Sequence, residues 1–369
     1  MLIFRKAKKQ CLIYNYNSMA KKKYTRRGDG FSEHFMSGIK APIIKCLRED
    51  EELDFQYRGG YINIYYMGGN ILKISGKSSL YFNEFYYYLP EKNDLRSSDI
   101  DKLLSKDYLS KVKESRNLCK LKLSNQEWEN ERKKAKNIVE ENKKKRDKLI
   151  EKLKQSKTEE EVKEFIKGLK RQINEWKEKL TSNGWKGNTV DERTIQHYIS
   201  LSNKVIIEGE NDIRVLDLEY ALSPNAIYAK ENSKSQPRID MIGIDKFGQV
   251  YAMELKYGKK AIGGNKASAK DHYDDFQKTI GADGKWEAFI EDIECLVNAK
   301  NKYEELEPQI KIKKEKPIFC YVFKNEEDTD EQEFKDYLKD KKLSNILTIF
   351  LPMDTREEGF ISKKYQLKK

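Results

Sequence analysis

The chain has 369 residues and a formal net charge of +12, with 36% charged and 38% hydrophobic residues. Its length exceeds that of one typical domain, so we expect a main core with at least one further module or large insertion. No apolar run reaches the roughly 18 residues of a membrane span, and the opening residues lack the features of a secretion signal. Composition therefore argues against a membrane protein, and we expect a soluble, cytoplasmic one.

The basic charge favours a polyanionic partner, because lysine and arginine gain affinity for nucleic acid by releasing its counterions. An AT-rich coding sequence would also enrich lysine, so charge alone leaves this partner open. The five cysteines are scattered and odd in number, which argues against zinc sites and disulfide frameworks and predicts reduced, mostly buried thiols.

Residues 1–124 are expected to form a module of unknown role. A polar, basic arm covers residues 1–30, and a short helix then leads into a β-meander. Its strands are separated by Gly59-Gly60 and Gly68-Gly69. The many tyrosines of this meander suit either a stacking platform for bases or ordinary strand packing.

Residues 125–187 predict a charged helical hairpin. Thr158 followed by glutamates is typical of a helix start. An apolar stripe then recurs at helical spacing, formed by Val162, Phe165, Ile166, Leu169, Ile173, Trp176 and Leu180. Such a hairpin is compatible with a homodimer, a partner protein or nucleic acid, but its balanced lysines and glutamates favour a solvated surface.

Residues 188–369 show an α/β pattern. The predicted order is helix, three strands, a long helical region over residues 267–306 and a strand, followed by another helix and strand. We therefore expect an α/β domain.

Two of these strands carry charged residues in otherwise apolar runs. Asp240 ends "PRID", and Glu254 and Lys256 lie in "MELK". Residues two apart in a strand project to the same face, so Glu254 and Lys256 lie together, and a hairpin at "IDKFG" brings Asp240 beside them.

Two neighbouring carboxylates repel each other unless a cation lies between them. A hard divalent ion such as Mg²⁺, for which Mn²⁺ can substitute, binds carboxylate, water and phosphate oxygens together. Lys256 would then orient or deprotonate an attacking water, or stabilise charge that develops at phosphorus.

The "PRID" and "MELK" segments resemble the signature of the PD-(D/E)XK nuclease superfamily, over roughly residues 188–325. The resemblance implies a restriction-endonuclease-like fold, which has a mixed central sheet flanked by helices. It also implies that Asp240 and Glu254 are metal ligands and that Lys256 is a catalytic residue. Pro237 is not adjacent to Asp240, so the literal "PD" is absent. Glu-x-Lys alone is common in a chain rich in both residues, and the apolar flanks, the turn and the upstream Asp make this instance distinctive.

Further candidates surround this motif. Some members of the superfamily use a glutamate of the first core helix as a metal ligand; Glu192 fits this position or is a capping acid, and Gln196 lies one turn along the same face. Glu219 is a weaker candidate for a metal ligand than Glu192. Lys259, Lys260 and Lys266 lie in a loop suited to phosphate contact or are inert surface lysines. His272 either faces the cleft or is a surface histidine.

The resemblance implies a Mg²⁺-dependent nuclease that hydrolyses phosphodiester bonds, in DNA rather than RNA, in restriction or another anti-phage role. Two alternatives stay open. One is a catalytically silent nucleic-acid-binding or assembly protein with the same fold, and the other is a nuclease that cleaves RNA.

Overall fold

The computed structural model describes most of the α/β region and parts of the preceding chain. The described residues are 41–58, 61–67, 69–75, 80–82, isolated positions from 130 to 148, 150–156, 158–182, 192–223, 226–230, 236–258, 268–304, 309–327, 329–351 and 361–362. The expected basic arm at 1–30 and the loop lysines Lys259, Lys260 and Lys266 lie outside them. Among the described residues, no helix combines the length and the apolar character needed to cross a bilayer.

Among the described residues, six helices and nine strands have defined bounds. Their order is α1 (Ala41–Glu49), β1 (Asp54–Arg58), β2 (Tyr61–Tyr66), β3 (Gly69–Ser75), β4 (Leu80–Phe82), α2 (Glu159–Ser182), α3 (Glu192–Ser202), β5 (Ile213–Ala221), β6 (Arg238–Asp245), β7 (Val250–Tyr257), α4 (Ala269–Lys278), α5 (Trp286–Tyr303), β8 (Ile318–Lys324), α6 (Asp330–Asp340) and β9 (Leu347–Leu351).

The chain divides into two compact units. The first comprises Met1–Asn70, Ile74–Ser79 and Val190–Lys369, and the second Ile71–Lys73 and Leu80–Thr189. The first unit thus joins residues on both sides of the expected boundaries at 124 and 187. The extent of the hairpin over 125–187 stays a prediction, because much of it lies outside the described residues.

The first unit is built on a five-stranded mixed sheet of order β5-β6-β7-β8-β9. Strands β5, β6 and β7 are antiparallel, and β7, β8 and β9 are parallel. The mixed α/β architecture and the element order expected after residue 188 are confirmed, apart from one break in the helical region. A second sheet has the order β1-β2-β3-β4, in which the first two strands pair antiparallel.

The predicted single helical region over 267–306 is wrong, because α4 and α5 are separated by a turn. Gly284 has a φ of +75°, a left-handed conformation that side chains disfavour. At Gly281, a Cβ would lie 2.5 Å from the Phe276 ring, so a larger residue there would have to displace this ring.

Apolar side chains cover both faces of the five-stranded sheet. One face packs against α3 through Ile195 and Ile199 and includes Met253 and Leu255 of β7. The other face carries an aromatic cluster, in which the Phe323 and Phe334 rings stack with centroids 4.5 Å apart. Glu254 is paired in register with Tyr321, so the charged residues of β7 lie on this second face.

Polar side chains of β1 lie against β5, within the first unit. Arg58 forms a fully buried ion pair with Asp217 and donates to the carbonyl of Leu218 at 2.8 Å. The Leu218 amide donates to Gln56 Oε1 at 3.3 Å. Strand β5 changes register between Val215 and Asp217, and the β1 side chains bond backbone groups beside this irregularity.

In the second unit, Thr158 caps the start of α2, as predicted. The Glu161 amide donates to Thr158 Oγ1 at 3.2 Å and Glu161 Oε2 accepts from the Thr158 amide at 3.3 Å, which is a capping box. The first five residues of the predicted apolar stripe are buried: Val162, Phe165, Ile166, Leu169 and Ile173.

Candidate active site

The β6–β7 hairpin brings the two motif segments together. Met241 pairs with Met253, and the register continues to Ile244 opposite Val250. The connecting turn is closed by a hydrogen bond from the Gly248 amide to the Asp245 carbonyl at 3.0 Å. One step beyond Met241 and Met253, Asp240 lies opposite Glu254, and opposite residues share a face of the sheet.

Asp240 is half-buried and is bonded at both its side chain and its backbone. Its Oδ2 accepts a hydrogen bond from the Leu255 amide at 2.9 Å, across the strand pair. Its carbonyl accepts a hydrogen bond from the side-chain amide of Gln196, on α3. Gln196 therefore holds the backbone of Asp240 by a hydrogen bond. Its position one turn from Glu192 on the same helix face does not predict this contact.

Glu254 accepts two hydrogen bonds at one oxygen. Lys256 Nζ lies 2.8 Å from Glu254 Oε1, and His272 Nδ1 lies 3.0 Å from the same atom. The side chains of Glu254 and Lys256 are only 4% and 7% exposed. The structure therefore brings the three motif residues together and adds His272 to the site. The sequence did not decide whether this histidine faces the cleft or lies on the surface.

The charges at this site shift one another's protonation. Burial and repulsion from Glu254 raise the pKa of Asp240 well above its usual range. Burial would also raise the pKa of Glu254, but the His272 hydrogen bond and the Lys256 charge outweigh it and lower that pKa. Burial would lower the pKa of Lys256, but Glu254 and Asp240 outweigh it and raise this pKa, which favours the ammonium form.

Glu192 lies in the first turn of α3, with its side chain open to solvent. Partial desolvation raises its pKa, Lys256 opposes this shift, and Glu254 and Glu219 add to it. Glu192 is thus within electrostatic reach of the site. It makes no hydrogen bond to Asp240 or Glu254, so its role as a metal ligand stays a prediction.

Glu219 lies on β5 at the same end of the sheet. The pairs that flank it, Leu218 with Met241 and Tyr220 with Ile239, place it beside Asp240. Its φ of +52° is uncommon for a residue with a side chain. Its carboxylate forms an ion pair with Arg238 at 2.6 Å, which gives it a partner other than a metal.

The carboxylates fit a divalent ion that takes most of its ligands from water and substrate. Within the described residues, no group of three His, Cys, Asp or Glu side chains is arranged to hold a metal ion. Among the described residues, the hydrogen bonds to these two acids reach Asp240 Oδ2 and Glu254 Oε1, so Asp240 Oδ1 and Glu254 Oε2 are the candidate ligand atoms. Mg²⁺ commonly uses one or two carboxylates with waters and phosphate oxygens.

No protein-family model, curated protein or solved structure matches this chain.

Proposed function

We propose that this chain is a Mg²⁺-dependent nuclease with a restriction-endonuclease-like fold, which hydrolyses phosphodiester bonds in DNA. The observation that carries the proposal is the buried Glu254–Lys256 pair with Asp240 opposite it. Burying these charges is costly, and such arrangements concentrate at functional sites. The helix, the three antiparallel strands and the parallel strands that follow them support the proposed fold.

The proposed roles follow from the contacts at the site. Asp240 and Glu254 would hold Mg²⁺, or Mn²⁺ in its place, through Asp240 Oδ1 and Glu254 Oε2, and Glu192 would add a carboxylate at the edge of the site. When bound, the ion would polarise the scissile phosphate and a water molecule. Lys256, as an ammonium group, would donate hydrogen bonds to the phosphate as negative charge develops there or orient the attacking water.

The net charge of +12 supports a polyanionic substrate. DNA as the substrate and a role in restriction or anti-phage defence rest on the motif resemblance, whereas the proposed cytoplasmic location rests on the composition of the chain. RNA cleavage is the alternative within the same chemistry.

A silent nucleic-acid-binding or assembly protein is favoured by one observation. Lys256 and His272 already compensate the charge of Glu254 without any metal. Such a protein would bind nucleic acid and leave it intact.

The test is a cleavage assay on the purified chain, with labelled duplex DNA, single-stranded DNA and RNA, each in Mg²⁺, Mn²⁺ or EDTA. We expect metal-dependent cleavage of DNA that EDTA abolishes. Lys256→Ala should lose a factor on the order of 10² or more in single-turnover rate while binding the substrate almost as well.

Lys246→Ala is the matched control, because this lysine lies in the turn after β6, at the other end of the hairpin. Cleavage by Lys256→Ala at the wild-type rate would remove the site assignment. Binding without cleavage of any substrate would identify the silent alternative, and cleavage of RNA alone would replace DNA as the substrate.

A further inference from the structure

His272 contacts Glu254 but does not belong to the β6–β7 hairpin, which carries all three motif residues. Its Nδ1 lies 3.0 Å from Glu254 Oε1, and the imidazole is 29% exposed while the carboxylate is 4% exposed. The ring therefore lies between the buried acid and solvent. It belongs to α4, whereas Asp240 and Lys256 belong to the β6–β7 hairpin.

Helix α4 is held against the sheet close to this contact. Ser268 and Asp271 form a capping box at its start, and the His272 amide donates to the Ser268 carbonyl at 3.2 Å. The hydroxyl of Tyr321 donates to the Ala269 carbonyl at 2.6 Å. Because Tyr321 pairs in register with Glu254, the strand beside the acid also holds the helix that carries the imidazole.

The two donors to Glu254 differ in how firmly they can fix it. Lys256 carries its ammonium group on a flexible four-carbon chain, whereas the imidazole is a rigid ring on an anchored helix. Both donate to Oε1, so together they direct Oε2 away from the protein donors. Residues that orient a metal ligand in this way contribute strongly to metal affinity.

We propose that His272 is a positioning residue, which holds the Glu254 carboxylate through Nδ1 so that Oε2 is presented to the divalent ion. This inference rests on the proposed nuclease function, because Glu254 is one of the two metal ligands that the nuclease proposal assigns. It does not require His272 to touch the substrate.

The test compares three substitutions in the full chain. His272→Ala removes the donor, whereas the amide nitrogen of His272→Asn occupies a position like that of Nδ1. His272→Gln places its amide nitrogen further from the backbone, in a position like that of Nε2. Gln277→Ala, an exposed change on the same helix, is the control.

Mn²⁺ binding is measured by calorimetry without substrate, and single-turnover cleavage is measured across a series of Mn²⁺ concentrations. For His272→Ala we expect Mn²⁺ affinity to fall on the order of 10-fold. The Mn²⁺ concentration that gives half the maximal rate should rise by the same factor, with a smaller change in the rate at saturating metal. His272→Asn should restore most of the affinity and His272→Gln little of it.

The outcomes separate this inference from the function on which it rests. Wild-type Mn²⁺ affinity in His272→Ala, or equal rescue by Gln and Asn, would overturn the positioning role and leave the nuclease proposal standing. A purely structural role predicts lower thermal stability in His272→Ala with unchanged Mn²⁺ affinity, and that result would also overturn it. If the wild-type chain binds no Mn²⁺ and cleaves nothing, both proposals fail.

Discussion

Asp240 carries a charge in unfavourable surroundings. Its carboxyl group is half-buried opposite Glu254, and the hydrogen bond from the Leu255 amide only partly offsets the repulsion. Its pKa is accordingly raised, so the metal-free folded protein holds the proton more tightly than the unfolded chain does. The folded state therefore loses stability as the pH rises from the usual aspartate pKa, about 3.9, toward the raised value.

The substitution Asp240→Asn should remove the loss of stability that the charged Asp240 causes above its pKa. In EDTA at neutral pH, we expect its melting temperature to equal or exceed that of the wild type, because the amide carries no charge and its oxygen can still accept from the Leu255 amide. The difference should shrink as the pH falls toward about 4, where the wild-type carboxyl group is protonated in both states. Calorimetric melting curves across this pH range measure it.

The same variant should cleave no nucleic acid, since it lacks one of the two proposed metal ligands. Asp283→Asn is the control, because this carboxylate is 95% exposed. Cleavage by Asp240→Asn at the wild-type rate would rule out Asp240 as a ligand. A lower melting temperature at neutral pH would show that its charge is not a cost to the fold.

Local patterns in the sequence predict the elements better than they predict the contacts between them. The turn residues in "IDKFG" and the apolar flanks predict the β6–β7 hairpin, and with it the position of Asp240 opposite Glu254. The apolar periodicity of residues 267–306 predicts one continuous helical region, whereas the structure has two helices with a turn that contains Gly281 and Gly284.

Contacts between elements that are distant in the chain had no sequence signal. His272 reaches Glu254 only because α4 folds back onto β8, and the sequence offered no more than a histidine near a helix start. Arg58 and Asp217 are 159 residues apart, and nothing in either segment predicts their pairing. The motif residues were predictable because a single hairpin holds them together.

The hairpin turn depends on Gly248, which lies against the backbone of residues 311–313. Its φ is +86°, and a Cβ would lie 2.6 Å from the Lys311 carbonyl oxygen. Gly209 has a similar φ of +84°, but among the described residues no atom beyond its chain neighbours lies within 4 Å of a Cβ placed there. Substitution of Gly209 therefore measures the cost of the positive φ alone, without a steric clash. We expect Gly209→Ala to lose about 1–2 kcal/mol of unfolding free energy. Gly248→Ala should lose a further ~1–3 kcal/mol from the clash.

Urea denaturation of both variants measures the two losses. Equal losses would show that the Lys311–Lys313 segment shifts without cost to admit the methyl group. Because this turn sets the β6–β7 pairing, we also expect Gly248→Ala to affect the position of Asp240 more than Gly209→Ala does.

The Arg58–Asp217 pair joins β1 to β5 without contact with water. Removing one partner of a buried pair leaves an uncompensated charge, so we expect Arg58→Met to lose about 3–5 kcal/mol of unfolding free energy. The double variant Arg58→Met, Asp217→Leu should recover part of this loss, because it leaves neither charge behind.

Urea denaturation of the single and double variants tests this expectation. Arg238→Met is the matched control on β6, since its partner Glu219 is partly exposed and such surface pairs contribute about 0–1 kcal/mol. A loss for Arg58→Met no larger than that of the control would show that β1 is held by other contacts.

At the scale of the whole molecule, the net charge of +12 should dominate substrate binding. Affinity for DNA should fall steeply with salt, because each phosphate that is neutralised releases counterions. We expect a linear decrease of the logarithm of the association constant with the logarithm of salt concentration, and little dependence on sequence outside any specific site. Equilibrium binding of Asp240→Asn in EDTA measures this without cleavage, and a salt-independent affinity would exclude nucleic acid as the main partner.

The hydrogen bond from Arg48 Nη1 to the Tyr303 carbonyl, at 2.5 Å, joins residues 255 positions apart. During synthesis, α1 and β1 emerge long before α5 exists to receive them. At about 5–20 residues per second, the delay is on the order of tens of seconds. Strand β2 follows β1 at once and pairs with it, but through that interval the Arg48 guanidinium and the side of β1 that contacts α5 have no permanent partner. A nascent chain halted before residue 303 should therefore depend on chaperones in a way that the completed chain does not.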